Sequence, residues 1–180
     1  DEPTRGLHPE GGEQRLNLDP LTMHYCRSAY YALINNVDMQ IGRVITALGR
    51  SGLEDTLIMF VSDHGEMLGD HHLFGKCEPY EGSAHIPFLI RSPGSTRHKS
   101  PSDTAQGTVL DNPVGLQDVM PTLIDAAGAE IPDSCTGRSL MPLVRGESPE
   151  WRDALHGEHS GYRSYDEGFH YLVDERWKYI

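Results

Sequence analysis

Asp63, His64 and Lys76 are the residues whose types and spacing most suggest chemistry. An apolar run, Thr56-Leu57-Ile58-Met59-Phe60-Val61, leads into Ser62-Asp63-His64-Gly65, and Lys76 follows thirteen residues after Asp63. A carboxylate oxygen beside an imidazole nitrogen suits a divalent cation. Oxygen donors favour Ca²⁺ or Mg²⁺, and an imidazole also suits Mn²⁺ or Zn²⁺. An ammonium close by suits an anionic substrate. In open α/β sheets ligands bind in the crevice beyond the carboxyl ends of the strands, which is where these three groups are expected. A plainer reading stays open from spacing alone: Asp63 caps the following turn, His64 makes a surface hydrogen bond and Lys76 is solvated.

Two ligands do not close a metal site, so others must come from elsewhere in the fold. His71-His72 are adjacent, and neighbours in sequence aim at one ion only where the backbone turns sharply; solvated or substrate-facing rings are the expectation. Gly65, Gly69 and Gly75 make this segment a loop with close backbone approach. Ser83-Ala84-His85 and Glu158-His159 hold groups used in nucleophilic catalysis, but neither has a defined partner, and both read as structural. His85, just before an apolar run, reads as a packing or edge residue. Cys26, Cys77 and Cys135 are widely spaced with no Cys-x-x-Cys pair, which fits free or buried thiols better than a disulfide framework.

The elements that must position these groups follow an α/β pattern. Asp19-Pro20 has the chemistry of a helix start. Tyr30, Leu33, Ile34, Val37, Ile41, Val44 and Leu48 then recur with a helical period until Gly49 and Gly52. Thr56 to Val61 reads as a strand buried on both faces, and Ile86 to Arg91 as a second, closed by Ser92-Pro93-Gly94. Thr108-Val109-Leu110-Asp111 is a third candidate strand, followed by a helix over about Leu116 to Ala127 ended by Gly128. Ser139 to Val144 suggests a further helical turn. After Pro149 the pattern changes: Ala154–His159 and Phe169–Asp174 read as strands around a Gly/Ser/Tyr loop, and Trp177–Ile180 starts another. Residues 1–18 read as a loop or extended arm, and 92–107 as a polar loop.

The bulk numbers restrict the partners. A net charge of −12 argues against nucleic acid, because phosphate binding needs clustered Lys and Arg. No apolar run approaches the ~20 residues of a membrane span, so no membrane partner is expected. Hydrophobic content of 37% and charged content of 23% are ordinary for a folded domain.

Several ordered segments resemble the sulfatase family of the alkaline phosphatase superfamily, from about Tyr30 to Ile180. They are Tyr30 to Asp38, Ser62 to His71, Ile86 to Gly94, Asp118 to Asp125, Gly137-Arg138-Ser139-Leu140, Tyr171 to Asp174 and Trp177 to Ile180. The resemblance implies a mixed, mainly parallel α/β sheet with flanking helices over residues 1–148, and the start of a small antiparallel subdomain over 149–180. It implies a hydrolase of sulfate esters with a divalent metal, usually Ca²⁺, with Mn²⁺, Mg²⁺ or Zn²⁺ also open. Asp63 and His64 match a pair of the family's metal ligands, and Lys76 matches the lysine that binds the sulfate. His159 falls where some related enzymes place a pocket residue. The partner implied is a sulfated small molecule or saccharide.

The family's nucleophile, a formylglycine made within Cys/Ser-x-Pro-x-Arg, has no match here. Cys77-Glu78-Pro79-Tyr80-Glu81 ends in Glu where Arg is required, and Cys135-Thr136-Gly137-Arg138 lacks the Pro. The family's first metal-ligating aspartates are also absent from the 180 residues. The expectation is therefore the C-terminal part of a sulfatase, inactive by itself. The alternatives are a phosphonate or phosphate monoester hydrolase of the same superfamily, or a non-catalytic domain with a degenerate anion site.

Overall fold

The computed structural model describes residues 14–93, 107–160 and 168–180. Residues 1–13 of the arm expected over 1–18, most of the polar loop over 92–107 and the loop over 161–167 lie outside them. The chain divides into two compact units, one of Asp1–Thr56 with Phe60–Leu89, the other of Leu57–Met59 with Ile90–Ile180. No helix among the described residues is long and apolar enough to cross a membrane.

The first unit is built on β1 (Gln14–Arg15), α1 (Pro20–Arg50), β2 (Ile58–Val61, which straddles the division), β3 (Leu73–Phe74) and α2 (Glu81–Ala84). Helix α1 starts and stops where its chemistry directs. The Asp19 carboxylate accepts from the backbone N–H of Leu21 at 3.0 Å and of Thr22 at 3.1 Å, with Pro20 in the first turn. At the other end Gly52 takes φ +69°, a conformation that lets the chain leave the helix. The apolar stripe is helical as expected, yet none of its residues is buried; Leu33 is 64% and Val44 61% exposed. Part of the segment read as an arm forms β1, which pairs antiparallel with β3, Gln14 opposite Phe74 and Arg15 opposite Leu73.

The Asp19 cap carries a prediction about pH. Its carboxyl is held below its ordinary pKa first by the Thr22 hydroxyl and then by the Thr22 N–H. A depressed folded-state pKa gives stabilisation that is present above the unfolded-state value and lost as pH falls through the folded one. Asp19→Ala is therefore expected to lower the thermal midpoint at pH 7 and to change it little at pH 2, read by circular dichroism at both.

The second unit follows β4 (Phe88–Arg91), which straddles the division and pairs with β2 as a two-stranded sheet. It contains a 3₁₀ turn over Leu116–Asp118, α3 (Val119–Ala126), α4 (Met141–Val144) and an antiparallel sheet of β5 (Ala154–His159), β6 (Phe169–Asp174) and β7 (Lys178–Tyr179). The mixed α/β class stands, and each pairing with a described register is antiparallel. Strands β5 and β6 occupy the two ranges expected to be strands, paired from Ala154 opposite Asp174 to His159 opposite Phe169. The third candidate strand does not form. Residues 108–111 are irregular, with Val109 82% and Leu110 49% exposed, and a short apolar run that is not buried gains nothing by extending.

Asp118 is the hub of this unit. Fully buried, it accepts the N–H of Gly115 at 3.0 Å and of Arg138 at 2.8 Å, and both arms of the Arg152 guanidinium at 2.8 and 2.6 Å. Trp151 covers the guanidinium, 5.2 Å from the ring centroid, and ties its own indole N–H to the Pro113 carbonyl at 2.9 Å. The buried Thr122 hydroxyl accepts the Leu140 N–H at 2.9 Å, which joins α3 to the start of α4 beside Leu140, Met141 and Leu143. Gly137 passes so close to the Gln117 carbonyl that a Cβ would lie 1.9 Å from its oxygen.

Candidate functional site

The segment after β2 is a compact loop because its polar groups close on one another. Glu66 Oε1 accepts the N–H of Leu68 at 3.1 Å and of Gly75 at 2.6 Å, and the Met67 N–H returns to the Gly75 carbonyl at 2.8 Å. Met67 and Leu73 are buried beneath it. Leu68, His71, His72 and Cys77 all have positive φ, from 46° to 73°. Such conformations cost energy in non-glycine residues and gather at functional loops.

This loop brings Asp63, His64 and Lys76 together. His64 Nδ1 is 2.8 Å from the Gly65 carbonyl, and His64 Nε2 is 2.8 Å from Lys76 Nζ. An ammonium can only donate, so Nε2 accepts and Nδ1 carries the proton that goes to Gly65. The two bonds demand the same neutral tautomer. Asp63 Oδ1 accepts the His64 N–H at 3.0 Å, while Oδ2 lies 3.5 Å from His64 Nε2. That backbone N–H is the largest cause holding the Asp63 carboxyl below its ordinary pKa, with the Lys76 ammonium adding less. The capping and ligand geometries for Asp63 thus coexist, one on each carboxylate oxygen.

These donors fit a divalent ion. Two ligands of one ion at the usual 2.0–2.5 Å lie about 3–3.5 Å apart, and Oδ2 and Nε2 have that spacing. The ring nitrogen left for a metal is the one whose partner is tied to a carbonyl, the arrangement that orients metal-binding imidazoles. In the structure Lys76 holds the Nε2 lone pair, so an ion and the ammonium compete for it.

The other sequence candidates fall into separate places. His71 stacks on Tyr80, ring centroids 4.1 Å apart, and His72 accepts the Leu16 N–H through its carbonyl. His85 is neither a packing nor a strand-edge residue; it ends α2, exposed, with its Nδ1 2.9 Å from Glu81 Oε2. His159 belongs to the second unit, on the half-buried face of β5, with its ring 5.3 Å from Phe169. Cys77 and Glu81 do not fit a formylglycine site, since the position that requires a cation holds a carboxylate paired with His85.

Gly65 explains part of the local order. Its N–H donates to the Ser83 carbonyl at 2.8 Å, and a Cβ there would lie 2.1 Å from the Gly82 carbonyl oxygen. Backbone cannot yield as a flexible side chain does, so Gly65→Ala is expected to cost about 1–3 kcal/mol. Urea unfolding would read it, and the His64 ring signals should shift with it.

The sulfatase family model matches residues 4–129. The chain belongs to the sulfatase family. It is 44% identical over 155 residues to an arylsulfatase of Clostridium perfringens, covering 86% of this chain and 31% of the relative. The phosphonate monoester hydrolase of Silicibacter pomeroyi superposes with a TM-score of 0.77 at 36% identity, covering 90% of this chain and 34% of that one. A solved complex with the substrate D-glucosamine-2-N,6-O-disulfate superposes with a TM-score of 0.64 at 28% identity, over 81% of this chain and 29% of that one. The chain thus spans about three tenths of the length of the curated relatives it matches.

Proposed function

We propose that the whole protein hydrolyses sulfate esters of a small molecule or saccharide, and that Asp63, His64 and Lys76 are its metal- and anion-binding groups in this chain. The observation that carries the reading is the convergence of the three on His64 Nε2, with Lys76 Nζ at 2.8 Å and Asp63 Oδ2 at 3.5 Å. Identity to an arylsulfatase supports the choice of ester. Asp63 Oδ2 and His64 Nε2 would hold the ion, Ca²⁺ first among the candidates. When bound, a divalent ion neutralises charge that builds on the sulfuryl oxygens.

The chain's own residues have distinct parts in this reading. Lys76 donates hydrogen bonds to the sulfate oxygens once it turns from His64. Gly65, through its carbonyl, keeps the His64 ring in the tautomer that presents Nε2. The nucleophile, a formylglycine in family terms, is not supplied by these 180 residues, and no step is assigned to Cys77.

One observation favours a second reading, hydrolysis of phosphonate monoesters: the 0.77 TM-score to an enzyme of that activity. The test is kcat/KM of the whole protein on a nitrophenyl sulfate against the matching phenylphosphonate monoester. A higher value on the sulfate is expected. A higher value on the phosphonate would replace this reading with the second.

A further inference from the structure

We propose that His156, Glu158 and His170 form a second metal site, for an imidazole-preferring ion of the Zn²⁺ class, on the exposed face of the β5–β6 pair. Alternation puts His156 and Glu158 on one face of β5, and the register sets His170 directly opposite Glu158. His156 and His170 are then diagonal neighbours. Their rings stack with centroids 5.2 Å apart and 5° between planes, and His156 Nε2 faces His170 Nδ1 at 3.0 Å. Glu158 Oε2 lies 3.8 Å from the same His170 Nδ1. One donor atom from each residue falls within 4.8 Å of the other two.

This spacing is close to that of a bound set. Ligand atoms about 2.0–2.1 Å from a tetrahedral ion lie roughly 3.4 Å from one another, and the two closest separations here, 3.0 and 3.8 Å, bracket that value. Two imidazole nitrogens that face each other can share a single proton or a metal ion in its place. Two nitrogens and one carboxylate select Zn²⁺, Ni²⁺ or Cu²⁺ over Ca²⁺ and Mg²⁺, which take oxygen-dominated sets. Three protein ligands leave the fourth position to water.

The strand pair is held from its other face. Gly157 lies opposite Tyr171, whose ring occupies the space that a Cβ at Gly157 would need, at 2.1 Å from its nearest ring atom. Lys178 Nζ stands 5.5 Å from the centroid of that ring. The three ligands therefore project from a framed segment, and His159 is on the opposite face from them. This site shares no residue with the Asp63–His64 pair.

The test is a Zn²⁺ titration of the full 180-residue chain by calorimetry, with Co²⁺ absorption as a second readout. One Zn²⁺ is expected, with Co²⁺ giving visible bands of nitrogen and oxygen ligation and no thiolate charge-transfer band from the three free cysteines. His156→Ala and His170→Ala should each weaken Zn²⁺ binding about 100-fold and Glu158→Gln about 10-fold, whereas Asp63→Asn should leave it unchanged. All three ligand side chains are exposed, so the variants should keep the far-ultraviolet dichroism of the parent. If a variant misfolds, the unaltered chain decides, because Zn²⁺ should shield His156 and His170 from diethyl pyrocarbonate. No Zn²⁺ binding, affinity unchanged in both histidine variants, or equal modification with and without Zn²⁺ would overturn the proposal.

Discussion

Asp118→Ala is expected to lower the unfolding free energy by about 3–5 kcal/mol, the cost of removing one partner from a buried ion pair. The magnitude comes from what is left behind. Asp118 is fully buried and Arg152 only 13% exposed, and alanine would strand a guanidinium with little access to water. The N–H groups of Gly115 and Arg138 would lose their acceptor in the same step. A domain of this size has about 5–15 kcal/mol in all, so the variant should sit near the edge of unfolding at ambient temperature. Asp118→Asn keeps the volume and one acceptor oxygen, so its loss should be smaller. Urea titration would show a lower midpoint at an unchanged slope. A loss under about 1 kcal/mol for Asp118→Ala would mean that the Asp118–Arg152 pair contributes only what surface pairs do.

Lys76→Ala in the whole protein is the second large effect expected, a fall in kcat/KM of about 10²–10³-fold, typical for loss of one preorganised donor to a developing anion. Lys76 is exposed, and its ammonium lies against the His64 ring nitrogen. Its removal should therefore leave the unfolding midpoint close to that of the parent, since surface substitutions usually fall within about ±0.5 kcal/mol. It also frees His64 Nε2, so affinity for the divalent ion should hold or rise. Loss of activity with stability and metal affinity kept is a pattern that a purely structural lysine would not give. Lys76→Arg should recover only part of the rate, because a planar guanidinium does not place its donors where an ammonium does.

The elements legible in the sequence are those whose signals are local. Asp19 and Pro20 announce α1, and the runs Ala154–His159 and Phe169–Asp174, set around a Gly/Ser/Tyr loop, are strands to the residue. The strand β2 and the Asp63–His64–Lys76 grouping follow from an apolar run and three chemically distinct side chains. What stayed hidden depends on partners distant in sequence or on backbone shape. The two-residue pairing of β1 with β3 has no periodicity to read. Leu68, His71, His72 and Cys77 at positive φ break the rule that glycine or asparagine marks such turns. The Asp118–Arg152 pair joins residues 34 apart, and the sequence alone shows only two charges. His156, Glu158 and His170 carried a weak signal, a His-x-Glu on one strand and a His on the next, which becomes a cluster only once Glu158 stands opposite His170. The residues of 108–111 had strand-like composition but remain exposed and irregular.

In the proposed function Asp63 and His64 present one pair of donors to one divalent ion. A substoichiometric Mn²⁺ titration of the chain, followed by NMR, tests it most directly, because a paramagnetic ion broadens nearby signals even when binding is weak. Broadening of the His64 ring and of the Asp63 and His64 amides is expected, lost in Asp63→Ala while the signals of α1 stay in place. Sharp His64 signals throughout the titration, or broadening there that survives Asp63→Ala, would contradict it.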